Sequence, residues 1–242
     1  MILDARTAKE LEVRYSNQGR WGEGPPSALH FITPDRVRVA CTLPRRGWPI
    51  PCTLPEGPPA PPNLLPRISS TRPSPKGIAG RGVLLDLARS EGLPHLPDGL
   101  AIAPEQLDAC AESQGVAIES GDILLIRTGS LTRCHARGCW DEYLWGPSAG
   151  LSLACARWLY EREIALVATD AASVEVRPPE IPGTERPLRR ISLEQTGILF
   201  GENFHLDALA ETCAADGDYA FLFAVPPLRD TDACIARPIT IK

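Results

Sequence analysis

Proline placement constrains this chain more than any other feature. Of its 25 prolines, eleven stand between Pro44 and Pro75, densest in the run PEGPPAPPNLLP. A proline ring fixes φ and removes the backbone donor, so that run cannot be a helix or a central strand. It reads as an extended arm or linker in preference to a ligand for a proline-recognition domain. The 242 residues then divide into an N-terminal segment, 1–43, a proline-rich arm, 44–79, and a main body, 80–242.

The main body alternates between two hydrophobic periods. GVLLDL (Gly82 to Leu87), DILLIR (Asp122 to Arg127), ALVA (Ala165 to Ala168) and YAFLFAV (Tyr219 to Val225) are short apolar runs of strand length. Between them, Pro104 to Ser113, Ser152 to Glu163 and Leu206 to Ala214 carry apolar residues at helical spacing. Pro104 suits a first helical turn and Gly115 a stop. Pro238 to Lys242 reads as a final edge strand. Strands alternating with helices define an α/β domain. Hydrophobic residues make up 43% of the chain, enough for a packed core.

Composition also excludes partners. The net charge is −5 and lysine and arginine form no stripe, which argues against nucleic acid and anionic membrane. Apolar runs such as Ala220 to Val225 are too short to span a bilayer. The start, MILDARTAKELEVRY, is charged from Asp4 onward and has no apolar signal core, so a cytoplasmic location is expected. The eight cysteines then read as reduced thiols, with Cys110, Cys155 and Cys213 acting as small hydrophobes inside helices. Cys134, His135 and Cys139 are the one local cluster of soft ligands, and without a second Cys/His pair they make a weak zinc motif.

Several phrases in order carry a resemblance. They are Arg20-Trp21-Gly22 with Phe31-Ile32-Thr33-Pro34, the GRGVLLD of Gly80 to Asp86, the GDILLIRTG of Gly121 to Gly129, and Gly150-Leu151-Ser152 through Leu159. Ala168-Thr169-Asp170 with Val174-Glu175-Val176, Gly201-Glu202-Asn203, and Tyr219 to Leu228 complete them. Together they resemble the cyclase family, which includes bacterial kynurenine formamidases and isatin-hydrolase-like enzymes. The resemblance spans nearly everything outside roughly 44–76. It implies a swivelling β/β/α fold and a homo-oligomer. It also implies arylformamidase-like chemistry: hydrolysis of an amide, lactam or related acyl bond by metal-activated water. The family's ions are held by a His-x-x-Thr-His-x-Asp stretch before the GRGVLLD-like strand, and by a His and a Glu further on.

This chain departs from that pattern where the metal would bind. Its four histidines are His30, His95, His135 and His205, and no two are four residues apart. Between Trp48 and Gly80 there is no His or Asp, and Glu56 is the one Glu. The motif-bearing segment reads as deleted. Glu202 matches the family's retained carboxylate. Arg189 occupies the position thirteen residues before it, where the family has His, and Ala172 stands where an aromatic is usual. No metal ligand set and no cofactor are carried over.

The remaining candidates form a metal-free set. Arg189 can supply the positive charge the ion would have brought, pairing with Glu202 and keeping it ionised, or binding a substrate carboxylate or oxyanion. A relic pair in a disused pocket is the competing reading. Asp170, at a strand end, fits a general base or a turn cap equally. Arg127 fits substrate binding or a structural ion pair. His205 fits a proton shuttle or an exposed residue before a helix. Trp140, Tyr143 and Trp145 fit a pocket wall or a subunit contact. The function expected is a cyclase/hydrolase-like enzyme acting on a small organic acyl, amide or cyclisable substrate without the family's metal. The alternative is a catalytically inactive member serving as a binding module or subunit partner.

Overall fold

A computed structural model describes residues 4–54, 64–72, 74, 76–138, 140–228 and 234–242. Its strands, in chain order, are β1 (Pro49–Pro51), β2 (Arg67–Ser69), β3 (Ile78–Asp86), β4 (Ala101–Ile102), β5 (Ile123–Arg127) and β6 (Gly150–Leu151). They continue with β7 (Leu166–Thr169), β8 (Leu199–Glu202), β9 (Ala220–Val225), β10 (Cys234–Ile235) and β11 (Ile239–Ile241). Nine of them form one mixed sheet in the order β1-β11-β9-β3-β5-β7-β8-β2-β10, and β4 pairs with β6 separately. Strands β3, β5, β7 and β8 run parallel at its centre. Antiparallel strands flank them on both sides.

Both faces of the central strands are buried, which explains why they read as continuous apolar runs and not as alternating ones. Val83, Leu85, Leu124, Ile126, Val167 and Phe200 face one way, towards Leu107, Trp158 and Ile191. Leu84, Leu125, Leu166, Leu199 and Phe221 face the other, towards Phe204, Leu209 and Cys213. A third cluster, Leu64, Leu131, Cys134 and Tyr143, holds the inner end of the proline-rich segment against the body. Cys110, Cys155 and Cys213 are free and buried, and burial pushes each thiol up to about 12. Among the described residues no helix is long and apolar enough to cross a membrane.

The proline-rich segment is more than a connection, because strands β1 and β2 flank its densest run. The run itself, 55–63, lies outside the described residues. The β1 strand tolerates its prolines by register. Trp48 donates its backbone N–H to the Lys242 carbonyl at 2.9 Å and Cys52 donates to the Pro238 carbonyl at 3.0 Å. Alternate residues point the other way, so Pro49 and Pro51 stand where an N–H would face outward and no ladder bond is lost. With β1 in place, the Pro238 to Lys242 stretch is not the edge expected of it. Its strand, β11, lies between β1 and β9.

The expected helix over Pro104–Ser113 forms with those bounds and ends before Gly115, whose φ is +63°. The helix expected from Ser152 starts later and spans Cys155–Glu161. Ser152 donates its N–H to the Ile102 carbonyl at 2.9 Å, which keeps it out of the first turn.

Gly82 permits the closest approach in the sheet. A Cβ there would stand 2.1 Å from Cε2 of Phe221, on the neighbouring strand β9. Gly82→Ala is therefore expected to destabilise the fold by about 1–3 kcal/mol through overpacking. Urea unfolding of the variant checks this, and an unchanged midpoint refutes it.

Candidate active site

Four polar side chains sit at or just beyond the C-terminal ends of the parallel strands: Asp86 on β3, Arg127 on β5, Asp170 after β7 and Glu202 on β8. Ligands of open α/β sheets bind at this end. The side chains sort into a group around Arg127, a buried tie at Asp170, and a group around Glu202.

Arg127 is held between two carboxylates. Its Nη1 donates to Asp86 Oδ1 and its Nε to Asp207 Oδ1, both at 2.9 Å. Asp86 is fully buried and also takes Arg89 Nε at 3.1 Å. Thr132 donates to Asp207, and His205 Nε2 lies 3.5 Å from Asp207 Oδ2. This is the ion-pair arrangement for Arg127. His205 belongs to this group: it faces Asp207, and its backbone N–H binds the Cys52 carbonyl at 3.0 Å. Burial holds its pKa below the ordinary histidine value, helped by His135 and Arg127 and opposed by Asp207.

Asp170 takes three donors at 2.7 Å: the Thr128 amide and hydroxyl on Oδ1, and the Gly129 amide on Oδ2. Burial nevertheless lifts its carboxyl to about 6. With both oxygens occupied, it caps the turn that follows β5. The Tyr143 hydroxyl lies 3.2 Å from the Asp170 carbonyl oxygen and 2.9 Å from Asn203 Oδ1. Asn203 Nδ2 donates in turn to the Leu65 carbonyl at 3.3 Å. The aromatic trio divides: Tyr143 is buried in this network, whereas Trp145 is 81% exposed. Cys134 packs in the third apolar cluster, His135 faces Trp140 at 6.0 Å, and Cys139 lies outside the described residues.

Glu202 ends β8 among arginines. Arg67 is its cross-strand partner on β2, at a separation where side chains on one face meet. Arg189, Arg186 and Arg177 all stabilise its charged form, as does a hydrogen bond from the Val174 amide. Burial outweighs them, so its pKa lies above the ordinary glutamate value. Arg189 therefore favours the ionised form of this carboxyl but does not decide its pKa. Arg189 is fixed by Nη2 to Ser69 Oγ at 2.9 Å and by its backbone N–H to Glu175 Oε2 at 3.0 Å. Arg177 donates to the carbonyls of Leu144 at 2.6 Å and Tyr143 at 2.7 Å, and to Ser148 Oγ at 3.1 Å.

The backbone is unusual on both sides of this group. Arg186 and Asn203 adopt positive φ, 42° and 64°, and a π-helical turn, Ile191–Thr196, follows Arg189 closely. Strained residues and π turns concentrate at functional sites. Arg67, Glu175, Arg177 and Arg186 were not among the residues the sequence singled out. The Val174-Glu175-Val176 phrase contained one of them, Glu175, without a role attached to it. Arg67 was hidden because its strand follows the proline run.

These side chains do not fit the family's ion. Among the described residues no three His, Cys, Asp or Glu side chains stand close enough to hold a metal. The groups around Glu202 are guanidiniums, which are not ligands.

Comparison with known proteins agrees with this fold. The Cyclase family model, described as "Putative cyclase", matches residues 30–176. The chain belongs to the cyclase family. A solved structure described as a novel cyclase is 25% identical, covers 96% of this chain and 99% of its own, and superposes with a TM-score of 0.80. An isatin hydrolase bound to the product analogue thioisatinate is 14% identical, with 67% of this chain and 59% of its own covered, at a TM-score of 0.52. A potential metal-dependent hydrolase with cyclase activity is 17% identical, with 80% and 96% covered, at 0.51. No curated protein matches the chain.

Glu175 supplies a pH test. It is buried, and burial lifts its carboxyl to about 7 against the pull of the Arg189 and Leu188 amides. A carboxyl raised on folding favours the folded state below its unfolded pKa, and that advantage is lost as pH rises through the folded value. Glu175→Gln has no such dependence. Its thermal midpoint relative to the parent is expected to shift in the variant's favour between pH about 4.5 and about 7.5. Parallel midpoints across that range refute the assignment.

Proposed function

We propose that this chain is a cyclase-family enzyme that acts on a small organic acyl, amide or cyclisable substrate at Glu202, without a divalent metal ion. The observation that carries this reading is a partly buried carboxyl among arginines where the family's retained glutamate stands. Its raised pKa brings proton donation and acceptance closer to neutral pH, which general acid–base catalysis needs. Arg189 and Arg177 offer fixed positive charge to an oxyanion forming beside it, and fixed donors need no reorganisation during reaction. Without metal-activated water, cyclisation or ring opening assisted by acid and base suits the site better than hydrolysis of an unactivated amide.

Asp170, Arg127 and His205 take supporting roles in this reading. Asp170 holds the frame, while Arg127 and His205 lock β3, β5 and the Asp207–Asp216 helix together.

Elemental analysis after chelator-free purification, run beside turnover of N-formylkynurenine and a panel of cyclisable acyl substrates, tests the proposal. We expect substoichiometric metal, turnover indifferent to added zinc or manganese, and a loss in kcat of about 10²-fold or more in Glu202→Gln. Stoichiometric metal with metal-dependent turnover overturns it. Absence of turnover on the whole panel leaves a non-catalytic binding module.

A further inference from the structure

A cavity of about 290 Å³ lies between the Pro34–Ala40 helix and the turn that leads into β5. Asp122, in its wall, immediately precedes β5, whereas Glu202 is the last residue of the parallel strand β8. The cavity therefore stands at the opposite end of the sheet from Glu202. Three charged side chains in its wall have hydrogen-bonding capacity to spare. Arg36 Nη1 and Glu119 Oε2 are 3.6 Å apart, too far for a hydrogen bond, and both side chains are exposed. Asp122 is buried. Its Oδ2 takes Arg81 Nη1 at 2.5 Å and the Glu119 amide at 2.7 Å, but its Oδ1 has no hydrogen-bond partner among the described residues. Burial lifts this carboxyl to about 6, against the pull of Arg81. Its negative charge is therefore undercompensated. Asp35, the remaining carboxylate in the wall, is paired with Arg38. Ile32 and Val39 supply an apolar side, and Val39 is 59% exposed.

We propose that this cavity binds a small zwitterion of the α-amino-acid class with an apolar side chain, independently of any reaction at Glu202. The ligand's carboxylate takes Arg36, whose planar fork matches two carboxylate oxygens. Its ammonium takes Glu119, with the buried charge of Asp122 behind that carboxylate. Its side chain lies on Ile32 and Val39. A ligand with a single charge satisfies only one member of the Arg36–Glu119 pair and isolates the other. A zwitterion replaces one long contact with two charge-assisted hydrogen bonds, the stronger kind. An exposed ion pair contributes little on its own, so parting it costs little. The volume lies near the lower bound of about 300 Å³ for small-molecule sites, which limits the ligand to amino-acid size.

Titration of the full chain with L-leucine, isocaproate and isoamylamine, followed by amide chemical shifts, tests this. Isocaproate is leucine without its amine and isoamylamine is leucine without its carboxylate. We expect L-leucine to bind about tenfold or more tightly than either. Arg36→Gln and Glu119→Gln are each expected to weaken L-leucine about tenfold. Arg36→Gln removes the preference of leucine over isoamylamine, and Glu119→Gln removes its preference over isocaproate. Both side chains are exposed, so the ligand-free thermal midpoint serves as the folding control. Glu202→Gln is expected to bind L-leucine with the parent's Kd, because it stands at the other end of the strands. Absence of saturable L-leucine binding, equal affinity for the three probes, or an unchanged Kd in either folded variant overturns the proposal. Loss of L-leucine binding in Glu202→Gln also overturns it and places the amino acid at the opposite end of the sheet.

Discussion

One buried carboxylate organises the functional end of this protein. Asp170 receives three donors from the turn after β5 while its own backbone continues β7, so the ends of two parallel strands are fixed to each other. Its carbonyl oxygen lies beside the Tyr143 hydroxyl, the hydroxyl contacts Asn203, and Asn203 reaches the Leu65 carbonyl two residues before Arg67. A series of polar contacts thus runs from the sheet centre to the segment just before the strand that carries Arg67. Burial disfavours the charged form of Asp170, whereas its three bonds favour it. The β2–β8 ladder pairs Arg67 with Glu202, and Asn203 braces the chain two residues before it.

The family resemblance and the local chemistry point in different directions, and the structure accommodates both. The fold is that of the cyclase family across nearly the whole chain. The side chains around Glu202 are guanidiniums, which repel a cation and attract an oxyanion. In the proposed reading, fixed arginines in place of an ion keep positive charge at the site while removing the source of activated water. On that reading such a site would keep the means to polarise an acyl group and to move a proton while changing which bonds can be broken.

Much of the fold was legible in the sequence, because the central strands are apolar on both faces and their helices carry clear stop signals. The Pro104–Ser113 helix is the plainest case, with proline at its start and Gly115 beyond its end. The site was legible only in part. Glu202 and Arg189 were found through the family resemblance, which places a carboxylate and a residue thirteen positions before it in one local stretch. Arg67 was not, because its role depends on β2 pairing with β8 across more than half the chain. His205 follows Glu202 by three residues in the sequence, while its imidazole turns to Asp207, a neighbour that spacing alone does not reveal. The N-terminal helix, Ala5–Arg14, was missed because its polar face hides the pattern, although Asp4 caps it by accepting from the Thr7 amide at 2.7 Å.

The outward prolines of β1 have a consequence beyond local geometry. An exposed strand normally offers alternating donors and acceptors on which a foreign strand can template itself, the first step toward amyloid-like aggregates. Pro49 and Pro51 leave that rim with carbonyls and no N–H at the outward positions. A strand arriving from another molecule would find only half of the bonds it needs. The residues that make the segment look unstructured therefore also act as a terminator, halting the sheet's growth on this side.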